Sequence, residues 1–203
     1  MRNIIAIALV GAALSACVEK RTEAPPLRGV GLGAPVARPD FTLTATDGKP
    51  FAFKERTAGK VTLLFFGYTN CPDVCPVHAA NVAEVVKTLS WEDRQRVQFV
   101  FVTTDPDRDS LPAIRKWLDN FDKTFIGLRG TLPEVNAVEQ KLNIGLGIIP
   151  FDAKAADGSY GVSHPAVVIA FEPNDTATTI YPFGIRQEDW AHDIPILLKR
   201  SGK

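Results

Sequence analysis

The sequence predicts an α/β fold, a central mixed sheet flanked by helices, and three features carry that expectation. Val61-Thr-Leu-Leu-Phe-Phe66 is a continuous apolar run of strand length and Val97 to Val102 reads as a second buried strand, the pattern of strands buried on both faces in a parallel arrangement. Each is followed by a stretch whose apolar residues recur at helical spacing, so strands and helices alternate. Further on, Ala166 to Phe171 and Thr178 to Tyr181 flank the turn-forming Glu172-Pro-Asn-Asp, which predicts an antiparallel edge.

At the start of the chain, Arg2 precedes an uncharged run of apolar and small residues from Ile4 to Ala16. A membrane-spanning helix needs about 20 apolar residues, so residues 1–16 read as a signal peptide. Leu14-Ser15-Ala16-Cys17 resembles the lipobox of bacterial lipoproteins, in which the cysteine is lipidated and becomes the first residue after cleavage. An ordinary signal peptide with a nearby small-residue cleavage site is the alternative. On the lipoprotein reading Cys17 carries the anchor and residues 17–38, with charges, glycines and three prolines, form a flexible tether. The folded domain then covers 39–200, lipid-anchored in the bacterial cell envelope and outside the cytoplasmic membrane, on the periplasmic side.

Within that domain, Phe41 to Ala45 alternates and meets Asp47-Gly48, so an N-terminal β-hairpin with Phe51 to Phe53 is expected. The strand Val61 to Phe66 leads into a helix over 76–89, apolar along Ala80, Val82, Val85, Val86 and Leu89. The strand Val97 to Val102 precedes a helix over 111–121 with Asp109 or Ser110 as N-cap. A short strand at 126–128 follows, then a helix to Leu142 opened by Thr131 and Glu134 in capping-box spacing. Asn143 to Pro165 is glycine-rich without a clear element, a length of loop that is usually functional or mobile. Gln187 to Lys199 forms the last helix, with Pro195 placed to kink or split it.

Charged residues make up 23% of the chain and the formal net charge is zero. With no long basic patch, nucleic acid is not an expected partner. The three cysteines are Cys17, Cys71 and Cys75. With Cys17 lipidated, the other two form a pair in an oxidising compartment.

That pair stands in Thr69-Asn-Cys-Pro-Asp-Val-Cys-Pro-Val-His78, where a buried strand ends and a helix begins, the position at which sites gather in open α/β sheets. Pro72 and Pro76 bias the residues before them away from helical backbone, and a helix N-terminus favours thiolate. Three readings compete. A structural disulfide across so short a loop contributes little chain entropy. A thiol–disulfide oxidoreductase more often carries Cys-x-x-Cys, one residue shorter. A metal site of two thiolates selects a soft ion, Cu(I) foremost, and one imidazole would make it three-coordinate; zinc would normally want four ligands. His78 is near in sequence, His164 ends the long loop just before a buried strand, and His192 lies in a polar stretch of the last helix.

"FFGYTNCPDVCP", "TTDPDRDS" and "SHPAVVIAF", in that order, resemble the SCO/SenC family of copper-binding thioredoxin-fold proteins over residues 39–200. The resemblance implies a thioredoxin-like fold and delivery of copper to the Cu(A) centre of cytochrome c oxidase, with thiol reduction in some members. It places the copper ligands on Cys71, Cys75 and His164, holding Cu(I) with Cu(II) as a second state. It implies an oxidase subunit carrying Cu(A), or another copper chaperone, as partner. Two positions depart from the family pattern: Ser163 stands where an acidic residue usually precedes the histidine, and Pro165 follows it. A carboxylate beside an imidazole orients it and raises its basicity, so both departures shift weight toward redox work, and Pro165 is expected to be cis as in thioredoxins. His78 then becomes a solvated helix residue or a group supporting the ligands. Asp105, Asp107, Arg108 and Asp109 read as a solvated turn with an N-cap, or as residues beside the copper loop. Asp73 is a weak candidate for a hard-ligand contact, and Phe65, Phe66 and Trp117 belong to the core. A peroxidase reading fails because Tyr68 stands where a threonine or serine would precede the cysteine. The sequence therefore points to a copper metallochaperone rather than an enzyme, with a membrane-tethered thiol–disulfide reductase as the alternative.

Overall fold

The computed structural model describes residues 26–145, 147 and 160–200. The signal peptide, Cys17 and the first part of the proposed tether, 17–25, lie outside them, as does the middle of the glycine-rich loop. Eight strands form a single sheet in the order β1-β8-β7-β4-β5-β6-β2-β3. They are β1 (Val30–Ala37), β2 (Thr42–Ala45), β3 (Pro50–Ala52), β4 (Val61–Gly67), β5 (Val97–Thr103), β6 (Ile126–Arg129), β7 (Val167–Phe171) and β8 (Thr176–Pro182). The helices are α1 (Phe53–Thr57), α2 (Val74–Thr88), α3 (Trp91–Gln95), α4 (Leu111–Leu118), α5 (Leu132–Lys141) and α6 (Gln187–Lys199).

β4, β5 and β6 run parallel, and their apolar runs follow from burial on both faces. Along β4, Leu63 and Phe65 face a core shared with α2, α4 and α6. Leu64 and Phe66 face the opposite core, with Phe53, α5 and the hairpin residues Leu43 and Phe51. The hairpin β2–β3 extends the sheet by pairing antiparallel with β6, and Gly48, at φ +80, makes the turn that the Asp-Gly pair announces. β7 lies antiparallel beside β4, with Val168 opposite Phe65 and Phe171 opposite Thr62. That direction brings the start of β7 to the end of β4.

Three expectations need correction. The stretch expected to be tether includes β1, which pairs antiparallel with β8 through a bulge. Arg28 and Gly29 just before it donate their backbone N–H groups to the buried Asp193 carboxylate at 2.8–3.0 Å, so the folded domain begins before residue 39. Pro195 does not split α6, which continues to Lys199; Ile194, Ile196, Leu197 and Leu198 are buried around it and hold the helix in place. α2 begins at Val74, so Cys75 is helical despite Pro76: a proline in the first turn gives up an N–H that has no intrahelical partner. Chain entry also has a direction. Val30 pairs with Ile180 and Ala37 with Thr176, so the chain arrives at the end of the sheet where β4 finishes.

Candidate metal centre

β4 ends at Gly67, and the next six residues turn back into α2. A Cβ at Gly67 would lie 2.7 Å from Cys75 Sγ, so glycine is what lets the sulfur rest against the strand end. Cys71 N–H donates to Tyr68 O at 3.2 Å, and Asp73 caps the helix by accepting from Val74 N–H at 2.6 Å. Cys75 N–H then points at Cys71 Sγ, 3.4 Å away. Both sulfurs are free and buried.

The third side chain arrives through the antiparallel pairing of β7 with β4. His164, three residues before β7, places Nε2 3.6 Å from Cys75 Sγ and 3.9 Å from Cys71 Sγ. Its other nitrogen, Nδ1, lies 3.0 Å from Phe66 O and 3.2 Å from Pro165 O. Carbonyl oxygens only accept, so Nδ1 carries the proton and, in the neutral ring, Nε2 presents a lone pair to the sulfurs. Tyr68 and Phe65 meet the imidazole edge-on, at centroid distances of 5.5 and 6.0 Å. The Pro165 peptide bond is trans, since no cis bond occurs among the described residues. The expected cis-proline is therefore corrected; trans is the ordinary state of such a bond, and here the Pro165 carbonyl is one of the two oxygens facing Nδ1.

Among the described residues, Cys71, Cys75 and His164 are the one group of metal-type donors that converges, with all ligand atoms within 4.8 Å of one another. Two sulfurs and an imidazole nitrogen suit a soft ion such as Cu(I). The thiols are not equivalent. Hydrogen bonds from the Cys75 thiol and from the backbone of residues 75 and 73 pull the Cys71 thiol far below its usual range, against the cost of burial. Burial, and then the neighbouring Cys71 sulfur, drive the Cys75 thiol strongly up. Without metal, the pair is one thiolate and one thiol.

The other candidates fall elsewhere. His78 is not solvated: it is 1% exposed, packed near Phe65, Phe183 and Trp190 at ring distances of 5.1, 6.3 and 6.5 Å. Its nitrogens make no well-formed hydrogen bond, the backbone at Ala166 offering only a marginal one, and burial lowers its pKa to about 4. His192 pairs with Asp193 at 2.6 Å on α6. The acidic loop before α4 is not a solvated turn: Asp105 and Asp109 are 0% and 1% exposed, and Asp107 alone of the three faces solvent. Ser110, not Asp109, is the N-cap. Sequence reasoning also misses Glu139 on α5, fully buried, which accepts from Gly147 N–H at 2.7 Å and is raised by burial to about 7. It reads in the sequence as one charge on an amphipathic helix; only its place four residues after the apolar Val135, on the same helix face, hints otherwise.

A thioredoxin-like sheet that gathers two cysteines and one histidine at its strand ends defines the class: a soft-donor dithiol–imidazole protein. The chain belongs to the SCO1/SenC family, whose profile matches residues 31–199. It is 33% identical over 156 residues to "Protein SCO2, mitochondrial" of Saccharomyces cerevisiae, covering 76% of this chain and 49% of that protein; it thus spans about half that relative's length. Among solved structures it resembles Bradyrhizobium japonicum ScoI with copper bound, with a TM-score of 0.68 and 28% identity over 79% of this chain and 98% of that one. It also resembles a SCO1/SenC family lipoprotein from Bacillus anthracis, with a TM-score of 0.64 and 26% identity over 82% and 98%.

Proposed function

We propose that this protein is a copper metallochaperone that carries the metal on Cys71, Cys75 and His164 and delivers it to the Cu(A) site of cytochrome c oxidase during assembly. The observation that carries the reading is the convergence of the three donors, with His164 Nε2 turned to both sulfurs by the carbonyls behind Nδ1. The copper-bound relative supports the choice of metal. Cargo Cu(I) on two thiolates and a neutral imidazole leaves a single net negative charge, and a recipient's ligands would replace these one at a time. The recipient is an oxidase subunit carrying Cu(A), or another copper chaperone. Cys17, on the lipoprotein reading, anchors the domain to the outer face of the cytoplasmic membrane, and the related lipoprotein supports that placement.

The experiment is anaerobic titration of residues 18–203 with Cu(I) and with Cu(II). One equivalent should bind, and His164→Ala should weaken binding by about tenfold or more, as loss of metal-site partners does. No binding at one equivalent sinks the proposal.

One observation favours a second reading, a membrane-tethered thiol–disulfide reductase. The Cys71 thiolate could attack a partner's disulfide, forming a mixed disulfide and releasing one partner thiolate. Cys75, losing its proton, would then attack Cys71 Sγ, leaving a Cys71–Cys75 disulfide and a fully reduced partner. This exchange should survive His164→Ala, whereas copper delivery should not.

A further inference from the structure

The loop between β5 and α4 touches both arms of the site. On the cysteine side, the Asp109 carboxylate accepts Thr69 N–H at 3.0 Å, Thr69 Oγ1–H at 2.5 Å and Thr103 Oγ1–H at 2.6 Å. Thr69 stands two residues before Cys71. On the histidine side, Asp105 accepts the Tyr160 hydroxyl at 2.8 Å and pairs with Arg108 Nε. Arg108 Nη1 donates to Tyr160 O at 2.9 Å, and its guanidinium lies 3.6 Å over the Tyr160 ring and 5.7 Å from the Tyr68 ring. Tyr160 stands four residues before His164. From outside, Arg129 Nε and Nη2 donate to Asp109 O and Pro106 O at 3.1 and 2.9 Å. Burying two carboxylates in one short turn costs several kcal/mol unless each is paired, and here their partners are the two segments that bear the ligands.

We propose that residues 105–109 are a positioning device coupling the two arms: Asp109 holds the cysteine arm, Asp105 with Arg108 holds the histidine arm, and one rigid loop sets the gap between them. Directly between the two ligand segments lie the imidazole's own contacts and those of Tyr68, whose ring meets His164 and whose hydroxyl meets the backbone at Val162. The proposal rests on the copper reading for its purpose. The two arms should be separable, because two thiolates alone can hold Cu(I), whereas Cu(II), a harder ion, depends more on the imidazole.

The test compares Asp105→Asn, Arg108→Lys, Tyr160→Phe and Asp109→Asn with the wild type, each checked for a cooperative thermal melt. In metal-free protein, NMR follows the His164 ring resonances and thiol–disulfide equilibrium with glutathione gives the reduction potential. With Cu(II), titration gives affinity and electron paramagnetic resonance reads nitrogen coupling. The histidine-arm variants should shift or broaden the His164 resonances, lower Cu(II) affinity about tenfold and weaken nitrogen coupling, with the dithiol potential unchanged. Asp109→Asn should move the potential. Folded Asp105→Asn and Arg108→Lys proteins with wild-type His164 resonances overturn the proposal, as does a potential shift equal to that of Asp109→Asn. If the wild type binds no copper while the metal-free resonances move as described, the copper reading fails and the positioning role stands.

Discussion

His164 offers a single nitrogen to the sulfurs because main-chain carbonyls have taken the other. Metal entry asks no change of tautomer at His164; the change falls on Cys75, whose thiol must lose its proton. At this scale the glycine at the strand end matters as much as the ligands. Gly67→Ala sets a methyl group against Cys75 Sγ, which a Cβ would approach to 2.7 Å. Copper affinity should fall by about tenfold or more while circular dichroism stays native; unchanged titrations would contradict this. His78 yields a pH prediction. Its pKa of about 4 in the fold lies below the ordinary 6.5 because burial disfavours the charged ring. Between those values the unfolded chain binds the extra proton, so stability falls as pH drops from about 6.5 to about 4. His78→Phe should remove that part of the slope, on the order of 3 kcal/mol at the acid end, as read by denaturant melts across the range.

Among the elements, the buried parallel strands and the capped helices were legible because their signals are local. β4 and β5 are apolar but for Thr62, Gln98 and the terminal Thr103, and α5 begins with the Thr131–Glu134 box in which both reciprocal bonds form. Removing the box with Glu134→Ala should lower the melting temperature without change in copper binding. β1 was not legible. Val-Gly-Leu-Gly-Ala-Pro-Val-Ala has neither alternation nor a continuous apolar run, and most of its residues stay exposed; it becomes a strand because β8 supplies a partner some 140 residues away, and pairing at that range leaves no trace in a local window. α1 and α3, five residues each, are too short for periodicity to register. The charged loop at 105–109 misled for a related reason: composition says solvated, while the buried partners of its carboxylates are set by tertiary structure.

For the whole molecule, the cysteines could be placed from the sequence because strand and helix meet there, but only the family resemblance singled out His164. The direction of β7 against β4 then explains how residues 93 apart in sequence meet. A second long-range knot holds the chain's entry point. Asp193, buried on α6, accepts from the Tyr181 hydroxyl at 2.9 Å as well as from Arg28 and Gly29. Asp193→Ala leaves those donors unsatisfied and should cost about 2–3 kcal/mol, with amide exchange rising first along β1; uniform exchange across the sheet would argue against a local knot.

That knot also fixes where the chain enters the domain. β1 enters at the edge of the sheet three strands from β4, at the end that bears the cysteines and His164. Arg28 stands eleven positions after Cys17, so at most about 40 Å of chain can lie between them. Were Cys17 lipidated as proposed, the point of attachment would fall on the side of the domain that bears the donor atoms. Its expected clients are then acceptor sites that sit low over the same bilayer, and lengthening that stretch should enlarge the reach at the cost of the local concentration it provides.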